Sequence, residues 1–508
     1  MAVTDGARKS RETAAYRLGL DALERVPASS QPLIRPGEVG VGIVHLGLGA
    51  FHRAHQAVLT EHAIAAAGGD WAILGVAPRS TAVIAALAAQ DNLFSVTSLD
   101  GQGGHTRVIG SIGALAHAAG DPAAVVARLA DSATRVVTLT VTEKAYQLDP
   151  ATGRLRPDAD LVADLSTDRP PVTVPGLIVR GLLARARADA GPIALVSCDN
   201  LPANGQRLRA LVTGCLEHPG LAGSARAADW VAANVTFPGT MVDRIVPATT
   251  PETLERAERA LGVADAAAVC AEPFLQWVIE DDFPGGRPAW EAAGAVMTGD
   301  AGPWERLKLR ALNGVHSAIA YLGALAGAET IADALAIPCM SEVMARLVAE
   351  DVAPSLTPPA GASVEAYGSS VLMRFANPAI GHRTLQVAMD GTQKLPQRIL
   401  HTILDRRAAG ASARWAALVV AAWMRFAQGQ ADDGRALHLD DPLAGVVREA
   451  VASAGGSPRR TAEALFGLTA VFPEALAADP VVVADVTDWL DALTRHGVRA
   501  TLHEAAAS

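Results

Sequence analysis

Residues 41–67, VGIVHLGLGAFHRAHQAVLTEHAIAAA, constrain the fold more than any other stretch of this chain. The run Val41–Leu46 is apolar and partly β-branched, as buried strands of parallel sheets are. Gly47 and Gly49 predict a tight turn, after which residues 51–67 have the pattern of a helix. A strand, a G-x-G turn and a helix in this order open a dinucleotide-binding unit, in which the backbone approaches a pyrophosphate at the helix N-terminus.

The second predicted strand, residues 71–76, ends without the acidic residue that takes the ribose 2′-hydroxyl of NAD in such units. Residues 77–80 read Ala-Pro-Arg-Ser instead, and an arginine beside a small hydroxyl can hold a 2′-phosphate. An ordinary loop arginine would look the same, so NAD is expected and NADP stays open. The glycine motif is also incomplete, since His52 stands where its third glycine would be. The candidate cofactor-binding residues are Gly47, Gly49, Phe51 and Arg79.

Two further strands are predicted at residues 135–141 (RVVTLTV) and 193–197 (IALVS), with alanine-rich helical segments between them. Strands that alternate with helices indicate a parallel sheet, whose ligands bind beyond the carboxyl ends of the strands. Polar clusters follow both strands, at residues 142–144 and 199–200. Asn200 and Asn204 are candidates for this site, although asparagine is equally a turn former in SCDNLPANG.

At 508 residues the chain exceeds what one hydrophobic core usually spans. A Pro- and Gly-rich break at residues 283–290 follows the last strand-like segment, and the pattern is helical from about residue 303 onward. We therefore predict an α/β Rossmann-type domain over residues 1–296. A mostly α-helical domain over residues 297–508 follows it.

The composition limits the partners and the compartment of the protein. Its 43 basic and 53 acidic residues give a net charge of −10, which argues against a nucleic-acid or anionic-membrane surface. The four cysteines have no metal-ligand spacing and are typical of reduced thiols in the cytoplasm. The N-terminus has no apolar signal core, and no run of 18 apolar residues exists. A cytoplasmic protein that spans no membrane is expected.

A histidine cluster offers the only metal alternative. His45, His52, His55 and His62 lie close together in the chain, but no cysteine, aspartate or Glu-x-x-His partner completes a ligand set. A core or cofactor-adjacent role for His52 or His55 is favoured, and no metal site is predicted.

The segment 304–317, WERLKLRALNGVHS, carries a base, an amide and an imidazole on what reads as one helix. At about 100° per residue, Asn313 lies roughly 140° and His316 roughly 80° from Lys308, so all three fit on one half of the helix. The segment alone is more typical of a solvated amphipathic helix than of a catalytic group. A second lysine, Lys144, follows a sheet strand and is a rival base, although a loop or cofactor-contact role suits it better.

Seven stretches in order, between residues 43 and 398, resemble the zinc-independent long-chain polyol dehydrogenases, which interconvert secondary alcohols and ketones. They are IVHLGLGAFHRAHQA, TLTVTEKAY, VSCDNLPANG, FPGTMVDRIVP, EPFLQWVIEDDF, KLRALNGVHS and RFANPAIGHRTLQVAMDGTQKLPQR. The resemblance implies a Rossmann-type domain, a helical domain and an active site between them. It also implies a largely monomeric protein.

The resemblance assigns roles to individual positions. Lys308 matches the catalytic lysine, and Asn200 and Asn313 match the amide pair that holds the substrate oxygen. His316 keeps the spacing of a partner of the lysine, and Glu305 resembles a glutamate that relays the released proton. Asp243 and Lys394 match positions near the substrate.

The chemistry explains why these residue types are needed. A secondary alcohol releases hydride readily only when its hydroxyl proton leaves, and a lysine whose pKa is lowered from about 10.4 can accept that proton. Two amides can hold the developing alkoxide as an oxyanion hole. A lysine and amides together replace the metal ion of other alcohol dehydrogenases.

The substrate is either a sugar acid or a neutral polyol. The mannitol-specific pattern of the family has an arginine where this chain has Gln386. His382, Arg383 and Lys394 could supply positive charge for a carboxylate, which favours D-mannonate and D-fructuronate over D-mannitol and D-fructose. A loop pair at the surface would explain His382 and Arg383 equally well. A non-catalytic dinucleotide-binding sensor is the remaining alternative, and the intact Lys308 argues against it.

Overall fold

The first predicted strand, Val41–Leu46, lies inside a six-stranded sheet of the computed structural model, which describes residues 16–99, 104–149 and 152–508. The chain divides into two units, Met1–Ala301 and Gly302–Ser508. In chain order the strands of the first unit are β1 (Val41–Leu46), β2 (Ala72–Ala77), β3 (Phe94–Ser98), β4 (His105–Ile109), β5 (Ile112–His117), β6 (Val136–Leu139), β7 (Ile193–Ser197), β8 (Val235–Thr236), β9 (Thr240–Asp243), β10 (Val269–Ala271), β11 (Gln276–Glu280) and β12 (Val296–Thr298).

The main sheet has the strand order β5-β2-β1-β6-β7-β8, and every neighbouring pair is parallel. The predicted α/β fold of this unit is therefore confirmed. Two three-stranded sheets, β10-β3-β4 and β12-β11-β9, accompany the main sheet. The sequence did not predict β5, which is only half-buried over most of its length and lacks a continuous apolar run.

Helices cover both faces of the main sheet, as its alternating side chains require. Val44 belongs to an apolar core that includes Leu182 and Leu208, whereas its neighbour Ile43 belongs to a second core with Ala57 and Trp290. The helices of this unit are α1 (Ala50–Ala54), α2 (Gln56–Ala67), α3 (Thr81–Ala88), α4 (Pro122–Ala130), α5 (Ala159–Ser166), α6 (Val174–Ala188), α7 (Asn204–Leu216), α8 (Ser224–Asn234) and α9 (Pro251–Leu261). Short 3₁₀ turns lie at Leu20–Arg25, Ala28–Ser30, Glu143–Tyr146 and Trp290–Ala293.

The helix predicted over residues 51–67 is not continuous. His55 leaves the helical conformation, with φ −125° and ψ −86°, and separates α1 from α2. Its Nε2 lies 2.9 Å from the backbone carbonyl oxygen of Gln276, and its ring packs edge-on against Trp277. Contacts with a strand more than 200 residues away thus override the local helical preference.

The second unit is mostly helical, as predicted. Its helices are α10 (Gly302–Leu307), α11 (Val315–Leu325), α12 (Ile331–Leu335), α13 (Met340–Arg346), α14 (Val364–Phe375), α15 (Thr384–Ala388), α16 (Gly391–Leu395), α17 (His401–Ala408), α18 (Arg414–Ala427), α19 (Ala444–Ser453), α20 (Pro458–Phe466), α21 (Glu474–Ala477) and α22 (Pro480–Ala507), with 3₁₀ turns at Ala353–Ser355 and Pro378–Ile380. Every residue of α11 is buried, so α11 forms the centre of this unit. In the described part of the chain, no helix is both long and apolar enough to cross a membrane.

Three segments of the second unit are π-helical, namely Lys308–Gly314, Leu347–Val352 and Pro396–Leu400. The first joins α10 to α11, so the stretch 304–317 is not the regular α-helix that the sequence predicted. An i→i+5 turn is wider than an i→i+4 turn, and the angles predicted between Lys308, Asn313 and His316 do not hold there.

Candidate active site

A cavity of about 650 Å³ opens at the carboxyl ends of β1, β2 and β6, where ligands of open parallel sheets bind. Its lining includes the turns that follow these three strands. They are Gly47, Leu48 and Gly49 after β1, Ala77, Pro78, Arg79 and Ser80 after β2, and Thr140, Val141, Thr142 and Lys144 after β6. The remaining lining comes mainly from the region of α5 and from the residues that lead into α6.

The two glycines of the first turn have different tasks. Gly47 has φ +111°, and a Cβ there would lie 2.1 Å from the carbonyl oxygen of Thr140, so only glycine fits against the end of β6. A Cβ on Gly49 would meet no atom closer than 3.7 Å, which leaves its backbone open to a ligand. This cradle fits the pyrophosphate of a dinucleotide. The ring of Phe51 stacks on His55 with centroids 5.1 Å apart, and its predicted cofactor contact stays a prediction.

The turn after β6 is strained in a way that the sequence did not reveal. Thr142 has φ +71° and ψ +159°, a conformation that costs a β-branched residue roughly 1–3 kcal/mol. Its backbone N–H donates to Oδ1 of Asp199 at 2.8 Å, and the hydroxyl of Tyr146 donates to Oδ2 of the same carboxylate at 2.8 Å. Burial raises the pKa of Asp199, and these two donors oppose that shift. These two hydrogen bonds fix the side chain of Asp199, the residue directly before Asn200.

The structure separates the roles of Asn200 and Asn204. The amide of Asn204 is buried, donates to the carbonyl oxygen of Thr240 at 2.9 Å and accepts from the N–H of Thr240 at 2.9 Å. Asn204 therefore ties this loop to β9. Asn200 is exposed on the turn that directly follows Asp199. Asp243 is buried at the end of β9, opposite Gln276 of β11.

In the second unit, the side chains of Lys308, Asn313 and His316 are all buried, and Glu305 lies in the preceding helix α10. Among the described residues, Nδ2 of Asn313 and Nε2 of His316 have no hydrogen-bond partner. Buried polar atoms without partners are rare in proteins, and they mark places where a ligand or water completes the hydrogen bonding. A nitrogen of the amide and one of the imidazole are thus available to a ligand.

His316 lies in a basic environment. Its ring stacks on Phe375 at 4.3 Å and lies 5.1 Å from the ring of His382, whose Nδ1 also has no partner in the described part of the chain. Burial lowers the pKa of His316 well below its usual value, and four basic side chains lower it further: His382, Arg398, Lys394 and Arg374. The imidazole is therefore neutral near pH 7, which suits a group that forms hydrogen bonds.

Lys394 is half-buried and donates from Nζ to the carbonyl oxygen of Val387 at 3.3 Å. Burial, and secondarily the charge of Arg398, lower the pKa of Lys394 to about 8. The residue thus carries a positive charge at neutral pH and loses it in mildly alkaline solution.

The structure brings His316, His382 and Lys394 together. Arg383 is exposed and precedes the first residue of α15. Gln386 is exposed as well. A contact between Arg383 and a substrate stays a prediction.

Sequence reasoning missed Arg398, which lies in the third π-helical segment. Its Nη1 donates to Oγ of Ser317 at 3.0 Å and to the backbone carbonyl oxygen of Asn313 at 3.4 Å. Burial lowers the pKa of this guanidinium. Arg398 therefore holds the backbone that carries the Asn313 amide. The motif KLPQR, which contains Arg398, is the one signal in the sequence that could have indicated it.

The histidine cluster belongs to the core of the first unit. Nδ1 of His45 lies 2.8 Å from Oγ1 of Thr138, its Nε2 lies 3.0 Å from Oγ1 of Thr140, and its ring stacks on His52 at 3.3 Å. These contacts attach β1 to β6. Within the described residues, no three His, Cys, Asp or Glu side chains are placed to share a metal ion.

Comparison with known proteins supports a Rossmann-type domain followed by a separate C-terminal domain. The profile of the mannitol dehydrogenase Rossmann domain matches residues 41–292, and that of the mannitol dehydrogenase C-terminal domain matches residues 300–494. The chain is 40% identical to D-mannonate oxidoreductase of Escherichia coli, over 93% of this chain and 98% of that protein. It is 38% identical to mannitol 2-dehydrogenase of Cereibacter sphaeroides, over 91% and 95% of the two chains.

A solved structure extends the comparison to the fold. The ternary complex of Pseudomonas fluorescens mannitol 2-dehydrogenase with NAD and D-mannitol matches with a TM-score of 0.82 at 34% identity. The match covers 97% of this chain and 100% of that chain. Two family profiles that together span most of the sequence, and relatives of this identity along nearly their whole length, establish that the chain belongs to the mannitol dehydrogenase family.

Proposed function

We propose that this protein is a zinc-independent, NAD-dependent dehydrogenase that interconverts D-mannonate and D-fructuronate. The D-mannonate oxidoreductase relative supports the substrate class, and the solved mannitol 2-dehydrogenase complex supports NAD. The residues at the carboxyl ends of β1, β2 and β6 would hold the cofactor. The observation that carries the choice of an acid is the set of basic side chains that act on His316.

Lys308 is the general base in this proposal. A bound nicotinamide ring supplies the hydride acceptor, and the residues of the chain move the proton. Lys308 takes the hydroxyl proton of the substrate during oxidation and returns it to the developing alkoxide during reduction. General base catalysis of this kind contributes about 10²–10⁴-fold to a rate. Glu305, one helical turn before Lys308 in the sequence, relays the released proton.

The amides of Asn313 and Asn200 stabilise the substrate oxygen. The partnerless Nδ2 of Asn313 supports this role, because a buried donor without a partner is already desolvated and can bind developing negative charge. One such donor is worth roughly 2.7–4 kcal/mol in a transition state. The neutral imidazole of His316 hydrogen-bonds a neighbouring substrate hydroxyl through its free Nε2.

The substrate carboxylate is held by the positive charge around His316. Lys394 is the closest fit to this role, because its ammonium is half-buried and charged at neutral pH. The partnerless Nδ1 of His382 provides a hydrogen bond beside it. Asp243 contacts a hydroxyl of the same substrate, since a carboxylate accepts hydrogen bonds from hydroxyl groups.

A neutral polyol such as D-mannitol is the second candidate. A neutral His316 with an available nitrogen is suited to a hydroxyl as well as to an acid, and the Cereibacter sphaeroides relative is a mannitol 2-dehydrogenase. The two candidates differ in whether the charge of Lys394 is required.

Nicotinamide absorbance with mannitol, arabinitol, fructose, mannonate and fructuronate tests the proposal. We expect the highest kcat/KM with fructuronate and mannonate, and we expect Lys394→Gln to raise KM for these acids. Arg499→Gln is the matched control, since it removes a positive charge from an exposed residue of α22 to which no substrate contact is assigned. A preference for mannitol or fructose would replace the sugar-acid proposal with the polyol one. Cofactor binding without turnover on any compound would support a sensor instead.

A further inference from the structure

We infer that the turn after β2 recognises the 2′-phosphate of NADP(H), through Arg79 and Ser80, so that the enzyme accepts NADP(H) alongside NAD(H). This inference rests on the proposed dinucleotide dependence but not on the identity of the substrate. It assigns a task to the Arg79–Ser80 turn, which lines the dinucleotide cavity.

The turn after β2 lies in the dinucleotide cavity. β2 lies beside β1 in the sheet, and residues 77–80 line the same cavity as Gly47 and Gly49. In a Rossmann-type unit, the end of this strand is where the adenosine ribose and its 2′-substituent bind. A side chain on this turn therefore selects between a 2′-hydroxyl and a 2′-phosphate.

The turn after β2 carries a positive charge and no negative charge. NAD-selective units place a carboxylate here, because it accepts hydrogen bonds from the ribose hydroxyls and repels a phosphate. In this chain no acidic residue occurs between Asp70 and Asp91. The carboxylate that would repel a phosphate is missing, and the guanidinium of Arg79 lies in the same turn.

The side chains of Arg79 and Ser80 are available to a ligand. Arg79 is exposed, and its side chain has no ion pair or hydrogen bond with another residue in the described parts of the chain. Ser80 is the N-cap of α3, yet its hydroxyl makes no capping hydrogen bond. Nε2 of His117, at the end of the neighbouring strand β5, lies 3.2 Å from the carbonyl oxygen of Arg79 and holds the turn in place. A guanidinium and a hydroxyl on a fixed backbone match the donors that a phosphate needs.

The acidic residues elsewhere in the cavity do not cancel this charge. Asp158 caps α5 by accepting from the N–H of Leu161 at 2.8 Å, and it accepts from Nε2 of Gln147 at 3.0 Å. Asp160 forms an ion pair with Arg169 at 3.4 Å. Both carboxylates already have partners, whereas Arg79 has none to lose when a phosphate binds.

The test uses nucleotide fragments that cannot react, so that binding is measured apart from turnover. Isothermal titration calorimetry with 2′,5′-ADP and with 5′-ADP reports the contribution of the 2′-phosphate directly. We expect 2′,5′-ADP to bind at least as tightly as 5′-ADP. Arg79→Ala should weaken 2′,5′-ADP by about tenfold or more, as the loss of one charge-assisted contact predicts, while 5′-ADP changes little. Ser80→Ala should show the same selectivity with a smaller loss.

Arg226→Ala is the matched control, because Arg226 is an exposed arginine of the same unit outside the cavity. It should alter neither affinity. A wild-type protein that prefers 5′-ADP about tenfold, or an Arg79→Ala variant that weakens both nucleotides equally, would overturn the inference. An enzyme that turns over no sugar acid but keeps the 2′,5′-ADP selectivity would refute the proposed substrate and leave this inference standing.

Discussion

Gly314 lies directly against the backbone of Arg398, since a Cβ at residue 314 would be 2.9 Å from the carbonyl oxygen of Arg398. The first and the third π-helical segments therefore approach each other through a residue that has no side chain. The Arg398 guanidinium crosses the same interface to reach the carbonyl oxygen of Asn313 and the hydroxyl of Ser317. The geometry of the Asn313 amide depends on this close approach.

Gly314→Ala should therefore impair both stability and turnover. The new methyl group has to displace a backbone carbonyl, and overpacking of this kind costs about 1–3 kcal/mol. We expect a lower Tm and a lower kcat, measured by calorimetry and by nicotinamide absorbance. Gly445→Ala in α19 is the control, because a Cβ there meets no atom within 4 Å, and it should leave both quantities unchanged or raise Tm slightly. Equal behaviour of the two variants would refute the packing argument.

Lys308→Ala should abolish turnover and leave cofactor binding nearly intact. Removal of a general base lowers kcat by at least about 10²-fold, whereas the cradle at Gly47 and Gly49 is untouched. Turnover is followed by nicotinamide absorbance and binding by quenching of tryptophan fluorescence. Lys144→Ala tests the rival base. It should retain turnover, because Lys308 and not Lys144 is the base in the proposed mechanism. Unchanged kcat in the Lys308 variant would exclude its role as the base.

The affinity for a sugar acid should fall in alkaline solution. The pKa of Lys394 is about 8, so the ammonium is present below that pH and is lost as the pH rises through it. KM for fructuronate should rise above about pH 8, whereas KM for a neutral polyol should not follow the same curve. Lys394→Gln should raise KM at pH 7 and remove the inflection. A KM profile that keeps its inflection in this variant would assign the titration to another group.

Acid should destabilise the protein through His45. Burial lowers the pKa of His45 to about 3, from 6.5 for an unperturbed histidine. The unfolded chain then binds a proton that the folded chain does not, so stability is present above pH 6.5 and is lost as the pH falls toward 3. One fully buried histidine can account for up to roughly 5 kcal/mol of this loss.

The pH dependence of Tm between pH 7.5 and 5 measures this effect. His45→Gln should give a flatter curve than the wild type, although its Tm at pH 7.5 will be lower because the contacts with Thr138 and Thr140 change. The exposed His503 on α22 offers a control, since His503→Gln should keep the wild-type slope. Parallel curves for wild type and His45→Gln would show that another group is responsible.

Removal of metal ions should not change activity. In the proposed mechanism Lys308 and the two amides do the work of a Lewis acid, so dialysis against a chelator should leave kcat as it was. Metal analysis of the dialysed enzyme provides the control. A loss of activity that added Zn²⁺ restores would contradict the zinc-independent proposal.

The sequence predicted those parts of the fold that local patterns determine. Val41–Leu46 and Ile193–Ser197 are short, mainly apolar runs that begin after a glycine and a proline, respectively, and both are strands with those bounds. The break at His55 could not be predicted, because it follows from a contact with Gln276 that no local pattern records. The π-helical segment Lys308–Gly314 could not be predicted for the same reason. It packs against Pro396–Leu400, which lies more than 80 residues further along the chain.

The candidate site was predicted unevenly. Lys308 and Asn313 were proposed because their segment resembles a motif of a known family, since the segment alone is typical of a solvated helix, and their roles stay predictions. Arg398 and Asp199 were missed because their role is to hold backbone groups in place, and a supporting role has no signature in spacing.

The wide turn at Lys308–Gly314 also affects how this gene tolerates small deletions. An i→i+5 turn contains one residue more than an i→i+4 turn, so a single-codon deletion within 309–312 leaves a segment that can close as an ordinary α-helix. One i→i+5 turn and one i→i+4 turn each complete about one revolution, so α10 and α11 would keep their relative orientation after the deletion. The backbone between Lys308 and Asn313 would be shorter, and the spacing of the base and the amide along the helix would change. In-frame loss of one residue at this turn should thus yield a folded protein with reduced turnover.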